Sequence, residues 1–154
     1  MTTWYFDASA LSKRYVEEPG TDWVRGLTAS AADNTILTAR ITMVEVYSAL
    51  ARRRREGSVP DADCLVAAQA FTQHCTTEYE LVELDEAAVK LARDLLDRHS
   101  LRANDAIQLA SALIAETVLI AAGLPHLMFI SSDQRLNAAA AGEGLKVDNP
   151  NEHP

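Results

Sequence analysis

Short apolar runs alternating with helix-period segments restrict the fold of this chain more than any other feature of its sequence. Trp4-Tyr5-Phe6 is a continuous apolar run that stops at Asp7, and Thr35–Ala39 and Leu127–Ile130 are similar runs. Runs without polar alternation suit strands covered on both faces, as in a parallel sheet. Tyr79–Leu84 is strand-like too, but its alternating Glu80 and Glu83 predict a wetter face or an edge, and Leu145–Val147 is a candidate last edge strand. The intervening segments read as helices: Ala8–Glu18, halted by Pro19-Gly20; Thr21–Ala32; Thr42–Glu56, ended by Gly57; and Pro60 to Thr76. Asp85 caps a helix with Ala88, Leu91, Ala92, Leu95 and Leu96 at helical spacing, and Asn104–Ala122 and Asp133–Ala141 complete the set. Asn104–Ala122 is apolar on nearly every side, which predicts a place at the centre of the fold. Repeated β-α units of this kind predict a three-layer α/β/α domain on a mostly parallel central sheet.

The 154 residues suit one domain, over residues 1–148, with 149–154 as a short C-terminal tail. A net charge of −8 argues against a protein that coats nucleic acid, since phosphate contacts come from Lys and Arg. It leaves room for an enzyme that clusters carboxylates around a cation. Cys64 and Cys75 fit neither a CxxC spacing nor a disulfide framework and read as free thiols in a reducing compartment. The N-terminus has no basic region followed by an apolar signal core. Ala106–Leu124 raises the question of a membrane span, but Gln108, Ser111, Glu116, Thr117 and its many alanines favour a buried helix. The expectation is a soluble, cytoplasmic protein. The four histidines fit no zinc pattern, and there is no P-loop, G-x-S-x-G or G-x-G-x-x-G.

Ligands of open parallel sheets bind beyond the carboxyl ends of the strands, where helices begin. Four acids occupy such places. Asp7 ends the first strand, Asp133 follows Leu127–Ile130, and Glu45 and Asp105 lie in the first turns of their helices. Each has a plainer explanation. Thr42-x-x-Glu45 is a capping-box pattern, Asp133 could cap its helix, and Asp105 could favour a helix dipole. Asp85, Glu83 and Glu116 read as caps or solvated positions.

The surrounding residues add a resemblance. Tyr5-Phe6-Asp7-Ala8-Ser9-Ala10-Leu11-Ser12-Lys13-Arg14-Tyr15, running on to Glu18-Pro19-Gly20, resembles PIN-domain nucleases of the VapC toxin type. So do Thr42-Met43-Val44-Glu45-Val46, Asn104-Asp105-Ala106-Ile107-Gln108-Leu109-Ala110 and Phe129-Ile130-Ser131-Ser132-Asp133-Gln134-Arg135-Leu136. The four motifs follow the family's order and span residues 3–147. The resemblance implies a PIN-like fold and an acidic quartet of Asp7, Glu45, Asp105 and Asp133 as catalytic metal ligands, supported by the hydroxyls of Ser9 and Ser131. Relatives that carry a further acid beside the last one differ here, where the chain reads Gln134-Arg135. One or two ions remain open.

An all-oxygen quartet suits Mg²⁺ or Mn²⁺, hard ions that prefer carboxylate and water oxygens. The activity implied is hydrolysis of RNA phosphodiester bonds by a metal-activated water, leaving a 5′-phosphate. The partners implied are an RNA substrate, a cognate protein antitoxin and a second copy of the chain as a homodimer, with no membrane. Lys13 and Arg14 are placed to meet substrate phosphate, and Arg102 is a weaker candidate. Arg52-Arg53-Arg54-Arg55 is the only dense basic run, readable as a solvated helix end, an RNA-guiding edge or part of an antitoxin groove. Two other readings compete: a phosphate-responsive receiver domain, and a noncatalytic RNA-binding or assembly module on the same fold.

Overall fold

The computed structural model describes every residue from Met1 to Pro154. Five strands, β1 (Thr3–Phe6), β2 (Thr35–Ala39), β3 (Tyr79–Val82), β4 (Met128–Ile130) and β5 (Lys146–Asp148), form one sheet in the order β3-β2-β1-β4-β5. Every pairing is parallel. The helices are α1 (Ala8–Leu11), α2 (Thr21–Thr28), α3 (Thr42–Glu56), α4 (Asp61–Thr77), α5 (Glu86–Arg98), α6 (Ala103–Ala121) and α7 (Gln134–Gly142). The three-layer α/β/α architecture on a parallel sheet is therefore present, with β3 and β5 at its edges.

The pleat explains why the apolar runs are continuous. Successive strand residues face opposite sides, and here both sides are covered. Tyr5, Leu37 and Phe129 enter a core with Leu95, Leu109 and Leu136 from α5, α6 and α7. Their neighbours Phe6, Ile36 and Ile130 enter a second core with Val24, Val46, Leu50 and Phe71 from α2, α3 and α4. Tyr5 and Phe129, paired across β1 and β4, stack with ring centroids 5.5 Å apart.

The chain steps outward from β1 to β2 and β3, then returns past β1 to β4 and β5. Its direction reverses between β1 and β4, the position where open parallel sheets form a ligand crevice. Asp7 and Ser131 follow directly on those two strands. Receiver domains have the strand order 2-1-3-4-5. The order here differs, which removes the receiver reading.

Several expectations are corrected. The segment 8–18 is not one helix: α1 stops at Leu11, and Ser12–Arg14 tightens to a 3₁₀ turn that delivers Tyr15 and Val16 to the second core. The segment 21–32 breaks at Ala29, which is extended, and resumes as a 3₁₀ turn at Ser30–Ala32. Pro60 precedes α4 as its N-cap instead of sitting in the first turn. Only part of α6 is central. It buries Ala106, Leu109, Ala110, Ala112 and Ala115, whereas Val118, Ile120 and the following Leu124 are exposed. Glu116 is neither a cap nor solvated: it is 8% exposed, and its carboxylate accepts from the Leu127 amide at 2.9 Å and bonds His126. Burial is affordable there because both oxygens have partners.

The segment 149–154 is docked. Pro150–Glu152 forms a 3₁₀ turn against α2, and His153 stacks on Trp23 with centroids 4.1 Å apart. Gly20, at φ +89°, lies so close that a Cβ would stand 2.2 Å from the Pro150 carbonyl oxygen. Cys64 and Cys75 are buried free thiols.

Candidate active site

Asp7 is 4% exposed, and all its interactions hold the carboxylate still. Ser9 Oγ lies 2.7 Å from Oδ1, Ser131 Oγ donates to Oδ2 at 2.7 Å, and the Ala10 amide donates to Oδ1 at 2.9 Å. The Ser132 amide in turn donates to Ser9 Oγ at 3.0 Å, tying the β1 and β4 ends together. Burial pushes the Asp7 carboxyl up to about 6, against the pull of Ser131, Ser9 and the Ala10 amide, and nearby Glu45 adds a smaller upward push. The hydroxyls around Asp7 thus favour its charged form, while the protein around them disfavours it.

The capping box at Thr42-x-x-Glu45 does not form. Ile41 is the N-cap, Thr42 is already helical, and no side chain caps the end. Glu45 instead reaches across to α6, where Gln108 Nε2 donates to Oε1 at 2.7 Å and Asn104 Nδ2 donates to Oε2 at 2.9 Å. Gln108 is itself fixed, because Tyr5 Oη donates to its Oε1 at 2.7 Å and its Nε2 also donates to Thr42 Oγ1 at 2.8 Å. A buried relay therefore runs from the central strand through α6 to the Glu45 carboxylate. The roles of Asn104 and Gln108 are not assigned by the sequence reading. Their four-residue spacing, which puts both on one face of α6 next to Asp105, is the signal that could have found them.

Asp105 lies in the first turn of α6. Its pKa is raised, first by burial, then by Asp133, with Glu45 adding a smaller push and Arg102 opposing. Asp133 does cap α7, with Oδ1 accepting from the Arg135 amide at 2.9 Å and the Leu136 amide at 3.3 Å. Its Oδ2 takes no protein donor. The four acids thus share one electrostatic neighbourhood at the strand ends. As arranged here, no three His, Cys, Asp or Glu side chains stand close enough to hold a metal ion.

Beside these acids opens a cleft of about 530 Å³, lined among others by Ser9, Lys13, Glu45, Arg52, Arg53 and Asn104. Lys13 is 3% exposed, with Nζ 3.0 Å from Glu18 Oε2. Burial and Arg53 lower its pKa, and Asp7 raises it. Arg14 is not brought to the cleft. The 3₁₀ turn sends it the opposite way, to Glu78 and Tyr79, both at 2.7 Å. The arginine run divides: Arg52 and Arg53 line the cleft, whereas Arg54 pairs with Asp61 at 3.2 Å and, with Arg55, borders an apolar groove between α3 and α4. The histidines have other partners: His74 with Tyr15, His99 with Glu143, His126 with Glu116 and His153 with Asp148.

Residues 4–141 match the sequence model of the PIN domain. Two proteins of Mycobacterium tuberculosis, Ribonuclease VapC45 (strain CDC 1551 / Oshkosh) and Ribonuclease VapC49 (strain ATCC 25618 / H37Rv), are each 32% identical over 143 residues, covering 93% of this chain and 92% of theirs. Among solved structures, VapBC2 from Rickettsia felis bound to a promoter DNA fragment superposes with a TM-score of 0.63 at 12% identity, over 96% of this chain and 98% of that one. A toxin–antitoxin complex from Klebsiella pneumoniae gives 0.62 at 17%, over 96% and 97%.

Proposed function

Because the chain belongs to the PIN-domain family, we propose that it is an endoribonuclease dependent on a divalent cation, and the toxin of a toxin–antitoxin pair. The observation that carries this reading is the electrostatic linkage of Asp7 to Glu45, and of Asp105 to Glu45 and Asp133, at the strand ends, with the Asp7 and Asp105 carboxyls raised. The names of the ribonuclease relatives support RNA as substrate.

The donor set fits a hard cation. All four candidate ligands are carboxylates, neither cysteine nor histidine is among them, and Mg²⁺ or Mn²⁺ prefers such oxygens. The upward shifts of Asp7 and Asp105, caused first by burial and then by neighbouring carboxylates, support this reading, because a bound cation would relieve the cost of carboxylate charge there. Asp7, Glu45, Asp105 and Asp133 would hold it. The ion, when bound, supplies Lewis acidity that eases deprotonation of a water and steadies the leaving oxygen of a phosphodiester. The chain's own groups provide position. Ser9 and Ser131 fix the Asp7 carboxylate, Asn104 and Gln108 aim that of Glu45, and Asp133 keeps one oxygen on α7 with the other available. Lys13 offers positive charge to the phosphate on the same wall.

A cognate protein antitoxin is supported by the solved relative described as a toxin–antitoxin complex. Two apolar surfaces stand on opposite layers, Val44, Tyr47, Leu65 and Val66 on α3 and α4, and Val89, Leu96, Val118 and Ile120 on α5 and α6. They are the candidate faces for the antitoxin and for a second copy in a homodimer. Free thiols at Cys64 and Cys75 support a reducing, cytoplasmic setting.

The test is cleavage of single-stranded RNA. Activity should vanish in EDTA and return with Mg²⁺ or Mn²⁺, and Asp7→Asn, Glu45→Gln, Asp105→Asn and Asp133→Asn should each stay folded and lose it. Full activity in EDTA, or in the Asp7 and Asp105 variants, refutes the mechanism.

A further inference from the structure

We propose that Glu18 is a positioning residue that fixes Lys13 and Arg53 as a two-cation clamp for an RNA phosphate beside the acidic centre; this rests on the ribonuclease reading. The two oxygens of Glu18 are divided between two cations. Oε2 is 3.0 Å from Lys13 Nζ, and Oε1 pairs with Arg53. All three residues line the same cleft as Ser9 and Glu45. Lys13 also lies within the fields of both Asp7 and Arg53. The cleft thus carries Glu45 of the acidic quartet together with the cations Lys13, Arg52 and Arg53.

The trio retains one unit of positive charge. Lysine has three donors and the guanidinium five, so a single carboxylate leaves most of them free. A phosphate oxygen can accept from both cations while Glu18 keeps them in place. Arg52, on the same cleft wall and without a carboxylate partner, strengthens the positive field.

Glu18 is built as a fixed post. Its amide donates to Thr21 Oγ1 at 2.9 Å, its carbonyl accepts from the Thr21 amide at 3.1 Å, and Thr21 Oγ1 also donates to the Val16 carbonyl at 3.1 Å. The following Pro19-Gly20 turn is wedged against Pro150. The turn fixes the Glu18 backbone, and the carboxylate is held between Lys13 and Arg53. Burying a lysine to 3% exposure is costly unless it is paired in good geometry, and Glu18, carried on this anchored turn, is its counterion.

Charge and position predict opposite signs for one substitution, which makes the clamp testable. Glu18→Gln removes a negative charge from the cleft, so charge alone predicts tighter RNA binding. A positioning role predicts weaker binding, because Lys13 and Arg53 lose their shared anchor. The measurement is anisotropy of a labelled single-stranded RNA oligonucleotide in EDTA across a KCl series. Lys13→Met and Arg53→Gln should each flatten the dependence of log K on log salt by about 0.7. Glu18→Gln should weaken binding about tenfold and flatten the slope as well. Glu18→Asp, which keeps the charge and shortens the reach, should also weaken binding, and it carries the test if Glu18→Gln does not fold. With Mg²⁺ present, Glu18→Gln should raise KM with kcat held within a few-fold. Binding as tight as wild type in the Glu18 variants, or no measurable RNA binding by wild type at low salt, overturns the clamp. Loss of cation-dependent cleavage with the binding pattern intact would instead overturn the ribonuclease reading and leave the clamp in place.

Discussion

Replacing Asp7 by Asn should make the protein more stable in EDTA at neutral pH while abolishing its activity. With the Asp7 carboxyl at about 6 in the fold and near 3.8 in the unfolded chain, ionisation favours unfolding. A pKa raised by folding contributes stability that is fully present below the unfolded value. That contribution is lost as pH climbs through the folded value. Above pH 7 the deficit in wild type is about 3 kcal/mol, from roughly two pKa units. Asparagine keeps an acceptor for Ser9 and the Ala10 amide and offers an amide to Ser131 Oγ, but these bonds are weaker than those to a carboxylate. Allowing about 1 kcal/mol for that leaves a gain of about 2 kcal/mol. For a chain of this size the melting point should rise by roughly 4–8 °C. Thermal unfolding followed by circular dichroism in EDTA at pH 4.5, 6 and 8 reads the effect, and the gap should shrink as pH falls. Mg²⁺ at a hundredfold excess over its dissociation constant should restore about 2.7 kcal/mol to wild type and much less to the variant. A gap that is constant from pH 4.5 to 8, or a variant that melts below wild type at pH 8, would refute the reasoning.

The other predictions concern the supports of the site. Gln108→Leu should remove the acceptor of the buried Tyr5 hydroxyl, while Thr42 keeps its bond from Thr38, and cost about 1–3 kcal/mol in urea unfolding. It should also weaken metal affinity or activity about 10–100-fold, as loss of a group orienting a ligand does; unchanged Mg²⁺ titration would remove Gln108 from that role. Gly20→Ala should cost about 2–4 kcal/mol, combining a left-handed backbone with a Cβ 2.2 Å from the Pro150 oxygen. Deleting residues 149–154 should abolish most of that additional cost, and equal penalties in both backgrounds would show that the contact is unimportant.

The apolar runs made the sheet legible because both faces of each strand are buried, and Asp7 could be placed because it interrupts such a run. The edge character of β3 was readable from Glu80 and Glu83. Helix limits inside 8–32 were not readable, because the breaks at Leu11 and Ala29 come from tertiary packing of Tyr15, Val16 and Val24, not from local propensity. Arg14 was misplaced because adjacent residues on a helical turn point roughly 100–120° apart, so that with Lys13 at the cleft Arg14 meets Glu78 and Tyr79. Glu116 looked solvated because its partner, the Leu127 amide, lies beyond the end of its helix. The places of the four acids at strand and helix ends were legible from the order of elements, and their grouping as a quartet came from the resemblance alone. The groups that orient them were hidden, since an amide on a helix gives no sign of what it faces until the neighbouring element is placed.

The pairing of β1 with β4 also has a consequence for synthesis of the protein. The central strand β1 is made before the other four of its sheet, and its neighbour β4 lies more than a hundred residues later, with Tyr5 registered against Phe129. Ser131, which fixes Asp7, and Asp133, the last of the four acids in the sequence, leave the ribosome well after Asp7, Glu45 and Asp105. A nascent chain therefore carries Asp7, Glu45 and Asp105 without the strand that closes their pocket. If the product is a nuclease dangerous to the messenger and ribosome that make it, strand order alone delays the weapon until β4 has been made, and chains truncated before Phe129 would be harmless to the cell.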